Sequence, residues 1–164
     1  MKSITAKLHG VALFFLAIMF SSCISSEGER QGYVAFAHVE GQEWHLFEIR
    51  RGAETARMNR GELEAAGFIG VYTITFEDGM VSGMGAPNRF FGPYTVGSAA
   101  GELSIGLLGH TLMAAIFEPE GLREHEYFNY LSGVTRWQLY EGRLKLFASS
   151  NDGSEAVLVF VLDK

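Results

Sequence analysis

The feature that most restricts the fold is a recurring pattern: short runs of β-branched, aromatic or alternating residues, cut at close intervals by turn residues. Residues 71–76 (VYTITF) are β-branched or aromatic throughout, which favours a strand. Glu77, Asp78 and Gly79 follow, with Asp-Gly supplying the positive φ angles of a tight hairpin, and 80–84 return as the partner strand. Further turns are predicted at Ala99, Ala100 and Gly101, at Glu141 and Gly142, and at 151–154 (NDGS). Between them lie runs of period two: 102–108, then Thr135, Trp137 and Leu139, then Leu144, Leu146 and Ala148, then 156–162. Strands joined by such short turns are antiparallel, because a parallel pair needs a long crossover.

The other segments complete the outline. Residues 44–49 alternate, placing Trp44, Leu46 and Glu48 on one face and His45, Phe47 and Ile49 on the other. Residues 33–39 are a first strand or an extended lead-in, and 50–57 are a charged loop. Asn59 and Glu62 have capping-box spacing for a helix of one to two turns through Ala66, stopped by Gly67. Residues 88–96 are strand-like, but Gly83, Gly85, Gly92, Pro87 and Pro93 crowd them, which signals a bulge, a bend or close backbone approach. The best helix is 119–131: Pro119 suits a first helical position, Tyr127, Phe128 and Leu131 form one apolar stripe, and Gly133 ends it. The fold class expected is α+β, a strongly curved antiparallel sheet (a half-barrel) of about seven to eight strands packed on one main helix. The apolar stripe should meet the concave face of the sheet near Trp44, Phe76 and Trp137.

The N-terminus carries an address. Lys2 and Lys7 precede an unbroken apolar run, 11–20 (VALFFLAIMF), then Ser21, Ser22 and Cys23. That order is the order of a secretory signal, and a run of ten is too short to span the roughly 30 Å of a bilayer core as a helix. Phe20-Ser21-Ser22-Cys23 resembles a bacterial lipobox, with Phe where Leu is usual, which makes Cys23 the lipidated first residue of the mature chain. The organisation expected is a lipoprotein signal peptide over 1–22, a lipidated polar tether over 23–32 and one domain over 33–164. Ile24 after the cysteine resembles outer-membrane sorting, so a periplasm-facing, membrane-anchored envelope protein is expected.

Charge and cysteine content then remove whole classes of function. The net charge is −6, and losing the leader's two lysines takes it to −8. With no basic run, nucleic acid is excluded as an expected partner. Cys23 is the only cysteine, so the domain has no disulfide, thiolate metal site or cysteine nucleophile. Stability falls to packing, for which 13 Phe, 6 Tyr and 2 Trp are available. His38, His45, His110 and His125 are isolated, so neither a metal nor another cofactor is expected. The glycines make no dinucleotide fingerprint, and Gly109-His110-Thr111 is no nucleophile elbow. Glu118, Glu120, Glu124 and Glu126 are accounted for as a solvated charged face at the positive end of the helix rather than as an acid pair, with His125 solvated beside them.

Words of sequence spread over about 39–160 carry a resemblance: Trp44-His45-Leu46, residues 80–83 (MVSG), 88–94 (NRFFGPY), 111–115 (TLMAA) and the helix through Leu131. Their order and spacing resemble the META domain, the family of HslJ-type heat-shock lipoproteins. Trp44, Gly83, Asn88, Gly92, Tyr94, Thr111 and Met113 fall on the family pattern, with structural roles expected for them. Pro87 and Ala115 stand where the family often has cysteines, so no redox role of that pair carries over. The resemblance implies a non-catalytic binding or assembly role in the envelope. An apolar groove between sheet and helix, near Tyr127 and Tyr130, would take a lipid or a partner segment. The alternative is inhibition of a cell-wall hydrolase such as lysozyme through an exposed loop.

Overall fold

The computed structural model describes residues 35–114, 118–149 and 153–163, all within the unit Gly32–Lys164. Cys23 and the predicted leader and tether lie outside the described residues. In chain order the elements are β1 (Glu43–Arg51), β2 (Glu54–Arg57), α1 (Arg60–Ala65), β3 (Thr73–Glu77), β4 (Met80–Met84), β5 (Arg89–Val96), β6 (Leu103–Ile105), β7 (Gly109–His110), α2 (Glu124–Ser132), β8 (Val134–Tyr140), β9 (Arg143–Ser149) and β10 (Glu155–Leu162). Eight strands run side by side in the order β6-β5-β4-β3-β1-β10-β9-β8, with β2 added on β1 and β7 on β5. Every pairing is antiparallel. A bridge between Glu102 and Arg136 joins the two ends of this path, and the Trp137 amide donates to the Gly101 carbonyl at 2.8 Å. The expected half-barrel is thus almost closed.

The hairpins form where turn chemistry places them. Asp78 and Gly79 take φ of 48° and 76°, and Glu141 and Gly142 take 51° and 70°. Asn59 caps α1 by accepting from the Glu62 amide. Residues 36–38 are a 3-10 turn rather than a strand or lead-in. It places Phe36 against Phe76, Tyr94 and Trp137, at ring separations of 5.2, 5.5 and 4.9 Å. Helix α2 occupies the opposite end of β5, where Tyr127 meets Tyr72 and Phe90, and Phe128 meets Phe90 and His110. The neighbours expected for the helix are therefore held mainly by Phe36. The interior between the two ends is filled with side chains, among them fully buried Trp44, Tyr72, Phe76, Phe90, Tyr127 and Phe160.

Four local departures have physical causes. The ladder between β1 and β10 shifts register between Leu46 and Glu48; this bulge at Phe47 turns Ile49 into the core with Trp44 and Leu46, against simple alternation. A second shift between Val134 and Arg136 leaves Thr135 exposed. Residues 50–57 are no loop: β1 runs to Arg51 and turns straight into β2. Helix α2 starts at Glu124, not Pro119. The carbonyls of Gly121 and Leu122, which a longer helix would use, accept instead from Arg51 and from the Tyr72 hydroxyl, and Gly121 has φ of +85°.

Candidate functional site

The family-motif residues divide into two groups. Trp44 is core, with its indole N–H donating to the Val39 carbonyl at 2.9 Å. Gly83 is a backbone contact: a Cβ there would lie 2.0 Å from the Thr73 carbonyl oxygen, so no side chain fits between β4 and β3. A Cβ on Gly92 would press on the Leu107 carbonyl at 2.8 Å. The Tyr94 hydroxyl donates to the Glu40 carboxylate, tying β5 to the turn before β1. Burial and this bond push the Tyr94 phenol up to about 12.

Asn88, Thr111 and Met113 come together at the other end of β5. Asn88 is 5% exposed and all its side-chain valences are used. Its Oδ1 accepts from the Thr111 hydroxyl at 2.8 Å and the Met113 amide at 2.7 Å. Its Nδ2 donates to the Met113 carbonyl at 3.1 Å and to Glu124 Oε2 at 2.7 Å. The other carboxylate oxygen of Glu124 accepts from the amides of Ala86 and Asn88, both at 2.6 Å. Glu124 is therefore no solvated helix-face residue. It ties the start of α2 to the cis Ala86–Pro87 turn, and through Asn88 to the segment after β7. Glu124 is one of four glutamates between 118 and 126, and nothing in their spacing signals that one of them points inward, which is why its role escapes sequence reasoning.

This network holds 111–113 against β5 through Thr111 and the Met113 backbone, while the side chains of Leu112 and Met113 face outward. Leu112 is 90% and Met113 61% exposed; Leu107 before β7 is 91% exposed, and Phe91, on the outer face of β5 opposite Gly109, 59%. β7 pairs with β5 and with no other strand among the described residues. The groove expected at Tyr127 and Tyr130 is closed where it was placed. Tyr127 is fully buried, donating its hydroxyl to the Thr73 carbonyl, and Tyr130 is 8% exposed. Burial pushes the Tyr127 phenol well above its usual value. Among the described residues no three His, Cys, Asp or Glu side chains gather as metal ligands.

Comparison with known proteins places this architecture. The profile of the META domain matches residues 37–162. This chain belongs to the META domain family. Two solved structures share the fold of this META domain, each over 79% of the chain. One is a protein from Burkholderia xenovorans, solved by NMR, with 23% identity, a TM-score of 0.56 and 87% of its own length covered. The other is a DUF4847 family protein from Bacteroides vulgatus, with 16% identity, a TM-score of 0.53 and 97% of its length covered. No curated protein matches the chain.

Proposed function

We propose that this META domain is a non-catalytic binding module of the cell envelope, anchored by lipid at Cys23, that takes an extended apolar segment of a partner along the β7 side of β5. The observation that carries this reading is the exposure of Leu107, Leu112, Met113 and Phe91 around one two-residue strand that, among the described residues, no further strand covers. Such an edge offers backbone N–H and C=O groups to an incoming strand, and flanking apolar side chains supply area. The packed interior favours this surface over an internal lipid groove. The Asn88–Glu124 network is the support that holds the surface rigid, so that little ordering cost remains at binding.

The test is cross-linking in intact envelopes, comparing wild type with Leu107→Asp/Leu112→Asp. Both positions are about nine-tenths exposed, so the double variant should fold normally and lose the cross-linked partner. An unchanged cross-link pattern would overturn the site. A stoichiometric complex with added lysozyme in a native mass spectrum, unaffected by the double substitution, would favour the hydrolase-inhibitor alternative instead. Anchoring is checked separately, by fractionation in high salt so that charge attraction is screened: Cys23→Ser should then move the protein to the soluble fraction or leave it unprocessed, because it removes the acyl chains that insert.

A further inference from the structure

Across the barrel from β5 the outer wall carries a different chemistry. On β2, β1, β10, β9 and β8 the ladders align side chains in rows. One row is Thr55, Arg50, Val157, Phe147 and Arg136; the next is Arg57, Glu48, Val159, Lys145 and Gln138. A third runs His45, Val161, Arg143 and Tyr140. Five cations thus share the three rows with a single carboxylate. That carboxylate, Glu48, is 3% exposed and is held by Arg50, through Nε at 2.7 Å, and by Arg57 at 3.4 Å. These three rows carry +4 in a chain whose formal net charge is −6. Glu43, Glu141, Glu155 and Asp163 rim these rows, with Glu43 and Asp163 at 3.2 and 4.0 Å from His45.

Apolar surface is interleaved with these cations. The Arg136 guanidinium lies 4.4 Å from the Phe147 ring centroid, Arg143 5.1 Å from Phe47, and the Lys145 ammonium 5.7 Å from Tyr140. Stacked on rings, these cations are partly desolvated and keep N–H groups facing outward. At the β2 corner, Arg50, Arg57, Thr55 and Glu48 line a depression of about 410 Å³. Glu48 uses one side of each guanidinium, so the remaining donors of Arg50 and Arg57, with the Thr55 hydroxyl, form an anion cradle of headgroup size.

We propose that this wall docks on the anionic headgroup layer of a phospholipid membrane, with a lipid phosphate seated between Arg50, Arg57 and Thr55. Cations on four of five adjacent strands, across about 19 Å at usual strand spacing, match a sheet of separate phosphates better than one point charge. Aromatic side chains, with Val157 and Val161, among them suit the boundary between headgroups and acyl chains. The rest of the domain is acidic and is repelled by the same surface, so only this wall can approach. Docking here turns the β5–β7 side away from the bilayer and goes beyond the anchoring at Cys23, since it needs no acyl chain.

The test uses residues 23–164 carrying Cys23→Ser, unlipidated, mixed with vesicles of phosphatidylglycerol or of phosphatidylcholine. The chain should sediment with the first and not the second, and salt should release it. Arg136→Gln/Arg143→Gln/Lys145→Gln should weaken binding about 100-fold, roughly fivefold per cation, whereas Arg89→Gln/Arg123→Gln, off the wall, should not change it. Arg57→Gln should weaken it without changing the thermal midpoint. Equal binding to both vesicles, or equal loss in the two multiple variants, would overturn the proposal. So would binding to a soluble oligo-aspartate with no binding to either vesicle, which would make the partner an acidic protein.

Discussion

Glu124 shows how much one side chain can organise. Three donors converge on its carboxylate, two of them backbone amides. Glu124→Ala strands them and should lower stability by about 3 kcal/mol or more, since each buried donor left without a partner costs about 1–3 kcal/mol. Glu124→Gln keeps one acceptor oxygen but aims an amide N–H₂ at donors, and should cost about 1–2 kcal/mol. Urea midpoints at constant m-value decide between these, and equal midpoints for Glu124→Ala and wild type would show the network to be dispensable. Gly83→Ala should be as severe, about 2–3 kcal/mol or more, because its Cβ would collide with backbone rather than with a movable side chain. Gly83 was legible as a backbone problem in the sequence, since glycine inside a strand announces close approach. Glu124 was not legible, because an inward carboxylate and a solvated one look alike until the turn at 86–88 is folded against the helix.

Among the elements, those set by local chemistry were readable. The Asp78-Gly79 and Glu141-Gly142 hairpins and the Asn59 cap depend on residues within a few positions, and the structure has all three. Elements set by distant partners were not. The start of α2 depends on Arg51 and Tyr72 taking the carbonyls of Gly121 and Leu122, contacts 70 and 50 residues away in sequence. The bulge at Phe47 depends on the register of β10, more than a hundred residues later, and β7 is two residues long, too short for any periodicity. The apolar stripe of α2 was readable, and its role can be measured. Phe128 is packed by Phe90, Tyr127 and His110, so Phe128→Ala should cost about 3–5 kcal/mol. A midpoint indistinguishable from wild type in urea would place that ring outside the core.

At the scale of the whole molecule, the fold class followed from alternation and turns, while closure did not, because the partner of an edge strand is not written in its own residues. The closed interior has a consequence for alkaline stability. Burial raises the phenols of Tyr72, Tyr94 and Tyr127, with Tyr94 pushed up to about 12. Below the usual value of 10.0 both folded and unfolded chains keep these protons, and stability does not depend on them. Above it the unfolded chain releases protons that the folded chain holds, so stability should fall steadily between about pH 10 and pH 12. Urea midpoints at rising pH measure the slope, and Tyr94→Phe should make it shallower; a flat profile would mean the phenols ionise freely in the folded state.

The junction of β6 and β8 sets how such a molecule comes apart. Neighbouring strands elsewhere on the path are held by ladders, whereas here one bridge and the Trp137–Gly101 bond join the wall. A cylinder slit along one side has a direction of least resistance: strain from heat or pulling parts the slit and unrolls the sheet, leaving the long β8-β9-β10-β1 ladders intact. Amide protons on the two sides of the slit, Trp137 first, should then exchange with solvent by a shorter and cheaper excursion than those of β9 and β10, whose release requires the whole wall to dissolve.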